Sequence, residues 1–322
     1  MLTVLLIKTS SMGDVIHNLP VVSDIVEHFP DAVVDWVVEQ PFSEIPRLHP
    51  AVRAVIPVAV RRWRKHLLQQ ATWREIAACK AAIRNERYDA VIDTQGLVKS
   101  ALIARAAVGA RHGFAADSAR EPIAARCYDQ RYSVARNLHA VERNRLLAGQ
   151  VLGYTPGTEV RYGIGAPHLV LPWLGAKRYA VLLHATSRAD KLWPEADWIA
   201  LGKQLNSMGF ACVLPWGTAD EQVRSQRLAN AMANAVAAPR LTLLEAAGLL
   251  AAAGVVIGVD TGLTHLAAAL GVPVVALYCS TSPGLTGVYG NLHAINLGQA
   301  GQPPSLATVW AHTMPFATAP AA

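Results

Sequence analysis

Two carboxylates in this chain each follow an apolar run and open a helical pattern, which places them where chemistry is done. Asp260 closes the run Val255–Val259 and is followed by Thr261-Gly262-Leu263-Thr264-His265. A β-branched run that stops at a carboxylate and resumes as a small-residue helical pattern reads as buried strand, tight turn and helix start. The first turn of such a helix holds unpaired N–H groups and a partial positive charge, which suits a phosphate. Thr261, Thr264 and His265 add side-chain donors there, and Gly262 admits close approach. Plain capping of a structural helix by Asp260 or Thr261 fits the same spacing. Asp14 stands in Thr9-Ser10-Ser11-Met12-Gly13-Asp14-Val15 after the first apolar run. There it serves either as a general base or as a helix cap.

Other segments supply charge and hydroxyls. Arg61-Arg62-Trp63-Arg64-Lys65-His66 concentrates cations suited to phosphates or carboxylates, or forms a solvated basic face. Asp93-Thr94-Gln95-Gly96-Leu97-Val98-Lys99-Ser100 is a further strand-end loop opening a helix. In the second half, residues 184–194 carry Thr186, Ser187 and Lys191 ahead of a Trp-Pro helix start, a phosphate and sugar clamp by composition. Residues 215–221 end a strand at Glu221, an acceptor for ribose hydroxyls. No Asp-x-Asp pair occurs, which argues against a metal-bridged diphosphate, and the first loop lacks the G-x-G-x-x-G fingerprint.

The elements that must position these residues alternate. Strands are expected at 3–7, 32–38, 88–93, 179–184, 211–215, 255–259 and 272–278. Helices are expected at 15–28, 73–87, 97–108, 195–208, 220–235 and 241–252. Such alternation gives βαβ units and parallel sheets. It restarts after a Gly/Pro-rich stretch, which predicts two doubly wound, Rossmann-like domains facing across a cleft. The boundaries read as 1–161, a linker at 162–172, a second domain at 173–302, and a short helix and tail at 303–322. The helical pattern in the last segment covers 305–310, Met314-Pro315 interrupts it, and 317–322 reads as a frayed tail. In α/β sheets of this kind, ligands sit at the carboxyl ends of the strands.

Composition bounds the class. Of 322 residues 52% are hydrophobic and 16% charged, which excludes a disordered chain. No apolar run is long enough for a membrane span, and the amino terminus lacks the features of a signal peptide. The four cysteines have no metal or redox spacing, so a cytoplasmic chain with reduced thiols is expected. Residues 61–145 hold 17 Lys/Arg against 8 Asp/Glu, so the first half is built to meet a polyanion. Nucleic acid and an anionic membrane surface both satisfy that count.

Together these motifs resemble the lipopolysaccharide heptosyltransferase I family of GT-B glycosyltransferases, over nearly all of residues 2–312. The likeness rests on 11–20, 61–65, 93–100, 186–194 and 260–265, with the basic Arg-Arg-Trp-Arg-Lys loop separating type I from type II. It implies inverting transfer of L-glycero-D-manno-heptose from ADP-heptose to the Kdo of Kdo2-lipid A, without cofactor or metal. It makes Asp14 the base. It places donor contacts at Thr186, Ser187, Lys191, Glu221, Asp260, Thr261, Gly262 and His265. Acceptor contacts fall at Arg61, Arg62, Arg64, Lys65 and Arg120. The implied enzyme is peripheral on the inner face of the cytoplasmic membrane. Three rivals remain. Heptosyltransferase II uses the already heptosylated acceptor. A nucleic-acid binder lacks its usual motifs here. An NAD-dependent oxidoreductase lacks its glycine fingerprint.

Overall fold

The computed structural model describes residues 1–166, 171–174 and 178–318, which fall into two compact units, Met1–Ile164 and Gly165–Ala322. In the first unit the strands are β1 (Thr3–Ile7), β2 (Val33–Glu39), β3 (Val52–Val58), β4 (Arg87–Asp93), β5 (Val108–Phe114) and β6 (Gln130–Tyr132). Its helices are α1 (Met12–Ile16), α2 (Leu19–His28), α3 (Glu44–Arg47), α4 (Val60–Trp63), α5 (Gln70–Arg84), α6 (Val98–Ala104) and α7 (Ala140–Leu152). The sheet runs β3-β2-β1-β4-β5-β6, every pair parallel. Thr3–Ile7 is apolar on both faces because helices cover both, and Val4 to Ile7 are fully buried.

The second unit repeats the order. Its strands are β7 (Tyr179–Leu183), β8 (Ala211–Leu214), β9 (Ala235–Ala237), β10 (Val255–Val259), β11 (Val274–Leu277) and β12 (Ala294–Leu297). They align as β12-β11-β10-β7-β8-β9, again all parallel. The helices are α8 (Glu195–Ser207), α9 (Ala219–Asn230), α10 (Leu243–Ala251), α11 (Gly262–Ala269), α12 (Pro283–Thr286) and α13 (Leu306–Thr318). In both sheets the chain reverses its direction of winding between two central strands, β1 and β4 in one, β7 and β10 in the other. Those reversals open the crevices where doubly wound sheets bind ligands.

Several expected elements differ. Residues 15–28 form two helices, broken at His17-Asn18, because Pro20 sits in the first turn of α2 and starts a new helix. Residues 97–108 and 220–235 stop early, at Ala104 and Asn230; each tail is a turn whose last residue, Val108 or Ala235, opens the next strand. The strand β3 was hidden by Pro57, which is tolerated because β3 lies at the sheet edge. The helix α7 was hidden because its inward face carries Asn144 and Arg145, both buried.

The carboxyl end departs most. A helix spans Leu306–Thr318 straight through Pro315, where a break and a frayed tail were expected. Its buried face is Val309, Thr313 and Ala317, packed on the second unit's core. Arg178 donates to the carbonyls of Phe316 (3.0 Å) and Ala317 (3.2 Å), satisfying the last turn. Packing and this cap offset the bond that Pro315 removes. Residues 167–170 of the expected linker, and 319–322 of the tail, lie outside the described residues.

Candidate active site

At the switch point of the first unit, the loop after β1 carries Asp14 into the first turn of α1. Its Oδ2 accepts from Ser11 N at 2.7 Å and Ser11 Oγ at 3.0 Å, which closes a capping box. The cap uses one carboxylate oxygen to anchor the helix, and Oδ1 has no hydrogen-bond partner among the described residues.

The loop after β4 locks the loop after β1. Gln95 Oε1 accepts from Thr9 N (2.6 Å) and Thr9 Oγ1 (2.7 Å), while Gln95 Nε2 donates to Ser10 O. Asp93 stays beneath, accepting from Gln95 N (2.8 Å) and from the Tyr128 hydroxyl (2.7 Å); burial raises its pKa above the usual carboxylate range. Gly113 makes this possible, because a Cβ there would clash with the Tyr128 ring.

Two lysines bear on Asp14. Lys8 is buried, with Nζ donating to Thr94 O (2.6 Å) and Asn144 Oδ1 (3.1 Å). Burial lowers its pKa to about 8, against the pull of Asp14 and Asp93. Lys99 donates to Ser10 Oγ at 2.9 Å, and burial lowers its pKa too, while Glu39 and Asp14 act to raise it. Sequence reading assigns Lys8 no role; its one signal is a charge immediately after the apolar run 3–7.

The basic segment is not uniform. Arg61 is exposed, its backbone N–H held by Glu39 Oε1 (3.2 Å) and its guanidinium 6.0 Å from the Phe42 ring. Arg62 is committed to Glu75, with Nη1–Oε1 3.0 Å and Nη2–Oε2 2.8 Å, and Trp63 Nε1 donates to the same carboxylate at 2.8 Å. Arg64 and Lys65 are exposed with no ion-pair partner among the described residues. Arg120 is exposed beside the Gly96 turn and close enough to Lys8 to lower its pKa.

In the second unit the switch point gathers Thr186, Lys191, Asp260, Thr261, Gly262 and His265. Asp260 Oδ2 accepts from Lys191 Nζ (2.7 Å) and Thr281 Oγ1 (2.7 Å), and Oδ1 lies 3.5 Å from His265 Nε2. Burial works to raise the Asp260 pKa, but hydrogen bonds from His265, Lys191 and Thr281 outweigh it and hold the carboxyl far below the usual range. Thr186 Oγ1 donates to Asp260 O at 3.1 Å, tying the β7 loop to the end of β10. Thr264 turns inward to Val259 O (2.7 Å), so it braces the turn and is not a ligand donor. The first turn of α11 carries no side-chain cap. Thr281, after β11, was missed, and nothing but its strand-end position signals it. Ser187 is exposed, and Glu221 caps α9 by accepting from Gly217 N (2.8 Å) and Thr218 N (3.1 Å).

Each unit has one doubly wound order; the first bears a half-free carboxylate and the second an uncapped helix start beside Lys191, the arrangement of a two-domain α/β protein with a candidate anion site. The pattern of glycosyltransferase family 9 (heptosyltransferase) matches residues 76–309. Lipopolysaccharide heptosyltransferase 1 of Escherichia coli K12 is 47% identical over 289 residues, 89% of this chain and 91% of that protein. The structure of E. coli heptosyltransferase WaaC with ADP superposes with a TM-score of 0.89 at 43% identity, covering 97% of this chain and 98% of that one. WaaC with ADP-2-deoxy-2-fluoro heptose gives 0.85 at 41%, with the same coverage. Lipopolysaccharide heptosyltransferase 2 of E. coli K12 matches only 30% of the chain, at 36% identity. This chain belongs to glycosyltransferase family 9, the heptosyltransferases, and is an enzyme of that class.

Proposed function

We propose that this enzyme transfers L-glycero-D-manno-heptose from ADP-heptose to the Kdo of Kdo2-lipid A, with inversion. The observation that carries the donor half is the Lys191–Asp260–His265 cluster at the start of α11. Asp260, fully ionised, would repel a diphosphate; Lys191 at 2.7 Å cancels that charge. The open N–H groups of α11 then take the phosphate oxygens. Relatives solved with ADP and with a fluorinated ADP-heptose support this donor.

Asp14 acts as the base. The acceptor hydroxyl approaches Oδ1, gives up its proton and attacks the anomeric carbon. The bond from that carbon to the β-phosphate oxygen breaks on the opposite face, and ADP leaves with the electron pair. Ser11 holds the other oxygen and so fixes the carboxylate plane. Arg61, Arg64, Lys65 and Arg120 meet acceptor phosphates and Kdo carboxylates. Arg62 joins them only by sharing its guanidinium with Glu75. No helix among the described residues is long and apolar enough to cross a membrane. The lipid-borne acceptor is what has the enzyme work peripherally on the inner face of the cytoplasmic membrane.

Incubation with ADP-heptose and either Kdo2-lipid A or the heptosylated acceptor, read by mass spectrometry, tests the reading. One heptose added to Kdo2-lipid A supports it. Transfer to the heptosylated acceptor alone would make this a type II enzyme.

A further inference from the structure

The segment joining α4 to α5 differs from the surface around it. Leu68 is fully exposed, and Leu67 and Trp73 keep 49% and 57% of their surface in water. Neighbouring exposed apolar side chains of this size mark a contact surface. They are held in place: Trp73 Nε1 donates to Leu67 O at 2.7 Å, and Gln69 N donates to His66 O at 3.0 Å. From Trp73 the apolar face continues one turn along α5 to the half-buried Ile76, beyond which Ile83 already belongs to the core. The face ends over an apolar hollow of about 370 Å³ whose far wall includes Leu102, itself 57% exposed.

Charge selects the occupant. Residues 61–84 contain seven Lys/Arg and one acidic residue, Glu75, which Arg62 already neutralises. A second copy would bring the same cationic segment against itself, which like-charge repulsion opposes. An anionic bilayer satisfies both halves of the pattern.

We propose that residues 67–73 are a wedge that seats the first unit on an anionic lipid bilayer. Leu67, Leu68 and Trp73 enter the headgroup–acyl boundary, and the exposed Arg74 and Lys80, which lie outside the acceptor-contact set, pair with lipid phosphates. The inference rests on the reading that the enzyme works at the membrane on a lipid-borne acceptor, and it adds the surface that meets the bilayer, separate from the acceptor contacts.

The test is co-sedimentation with acceptor-free vesicles of phosphatidylethanolamine and phosphatidylglycerol, against vesicles of phosphatidylcholine alone. The wild-type enzyme should partition onto the anionic vesicles and much less onto the neutral ones. Leu67→Ser/Leu68→Ser should cut that partitioning about ten-fold or more, since two interfacial leucines are lost. Both side chains are exposed enough that the fold survives, which circular dichroism checks. In parallel, the double variant should keep wild-type kcat/KM on a soluble, deacylated Kdo acceptor and lose it on vesicle-borne acceptor. Equal partitioning of wild type and variant would overturn the wedge. So would a change in oligomeric state on light scattering with vesicle binding unaltered, which would make the patch a self-interface. Failure of the wild type to glycosylate either acceptor would refute the functional reading instead, while sedimentation judges the wedge separately.

Discussion

Lys191 has two partners to serve, and the geometry says which effect dominates its loss. It neutralises Asp260 at 2.7 Å and, in the proposed donor site, adds positive charge beside the diphosphate. Lys191→Ala therefore removes an attraction and uncovers a repulsion. ADP affinity should fall roughly 10- to 100-fold, the worth of a charge-assisted bond. Asp260→Asn in that background should recover part of the loss, because the uncovered charge goes too; calorimetry with ADP reads both. A double variant as weak as the single one would show that Asp260 does not face the phosphates. The same carboxylate makes a pH statement. Its folded pKa lies below its unfolded value, so its contribution to stability is present above the ordinary carboxylate range and is lost as pH falls toward the folded value. Asp260→Asn should flatten the acid limb of the denaturation midpoint, measured in urea. An unchanged acid limb would mean that other carboxylates set it.

At the scale of elements, periodicity revealed strands buried on both faces and helices with an apolar stripe. It failed where packing is polar. The helix α7 docks on α2 through Arg145, which clasps Asp24 at 2.7 and 2.8 Å with both side chains buried. A hydrophobic pattern cannot report such a face. Arg145→Met should cost about 3–5 kcal/mol by stranding the Asp24 carboxylate, whereas Arg145→Met/Asp24→Leu should recover most of it. Equilibrium denaturation distinguishes the two, and equal losses would mean that the ion pair is not what joins α7 to α2. Pro315 failed as a stop signal for a related reason: Val309, Thr313 and Ala317 hold the helix to the core past the missing bond. The Asp260 cluster was legible as a candidate site because strand, carboxylate and helix start are contiguous at 255–265. Lys8, Gln95, Tyr128 and Thr281 were harder, since their roles depend on partners about 20 to 140 positions away in sequence.

For the whole molecule, the proposed acceptor contacts rest on charge concentrated in residues 61–65. Arg61, Arg64 and Lys65 are exposed, so salt should screen their attraction. Acceptor KM should rise with salt while ADP-heptose affinity stays nearly flat. An Arg61→Ala/Arg64→Ala variant should raise acceptor KM at low salt and flatten that dependence. Arg62→Ala should do less, since Glu75 already occupies its guanidinium. Equal low-salt acceptor kinetics for wild type and the double variant would leave the loop a solvated face.

The central claim is that Asp14 takes the acceptor proton with the oxygen its helix cap leaves free. Asp14→Asn keeps the size of the side chain and an oxygen able to accept from Ser11, but removes the basicity. Turnover with ADP-heptose and Kdo2-lipid A should fall about 10²- to 10⁴-fold, the usual worth of a general base. ADP affinity and the denaturation midpoint should stay near those of the wild type. Near-wild-type turnover in a folded Asp14→Asn enzyme would contradict the account and leave Asp14 as a helix cap alone.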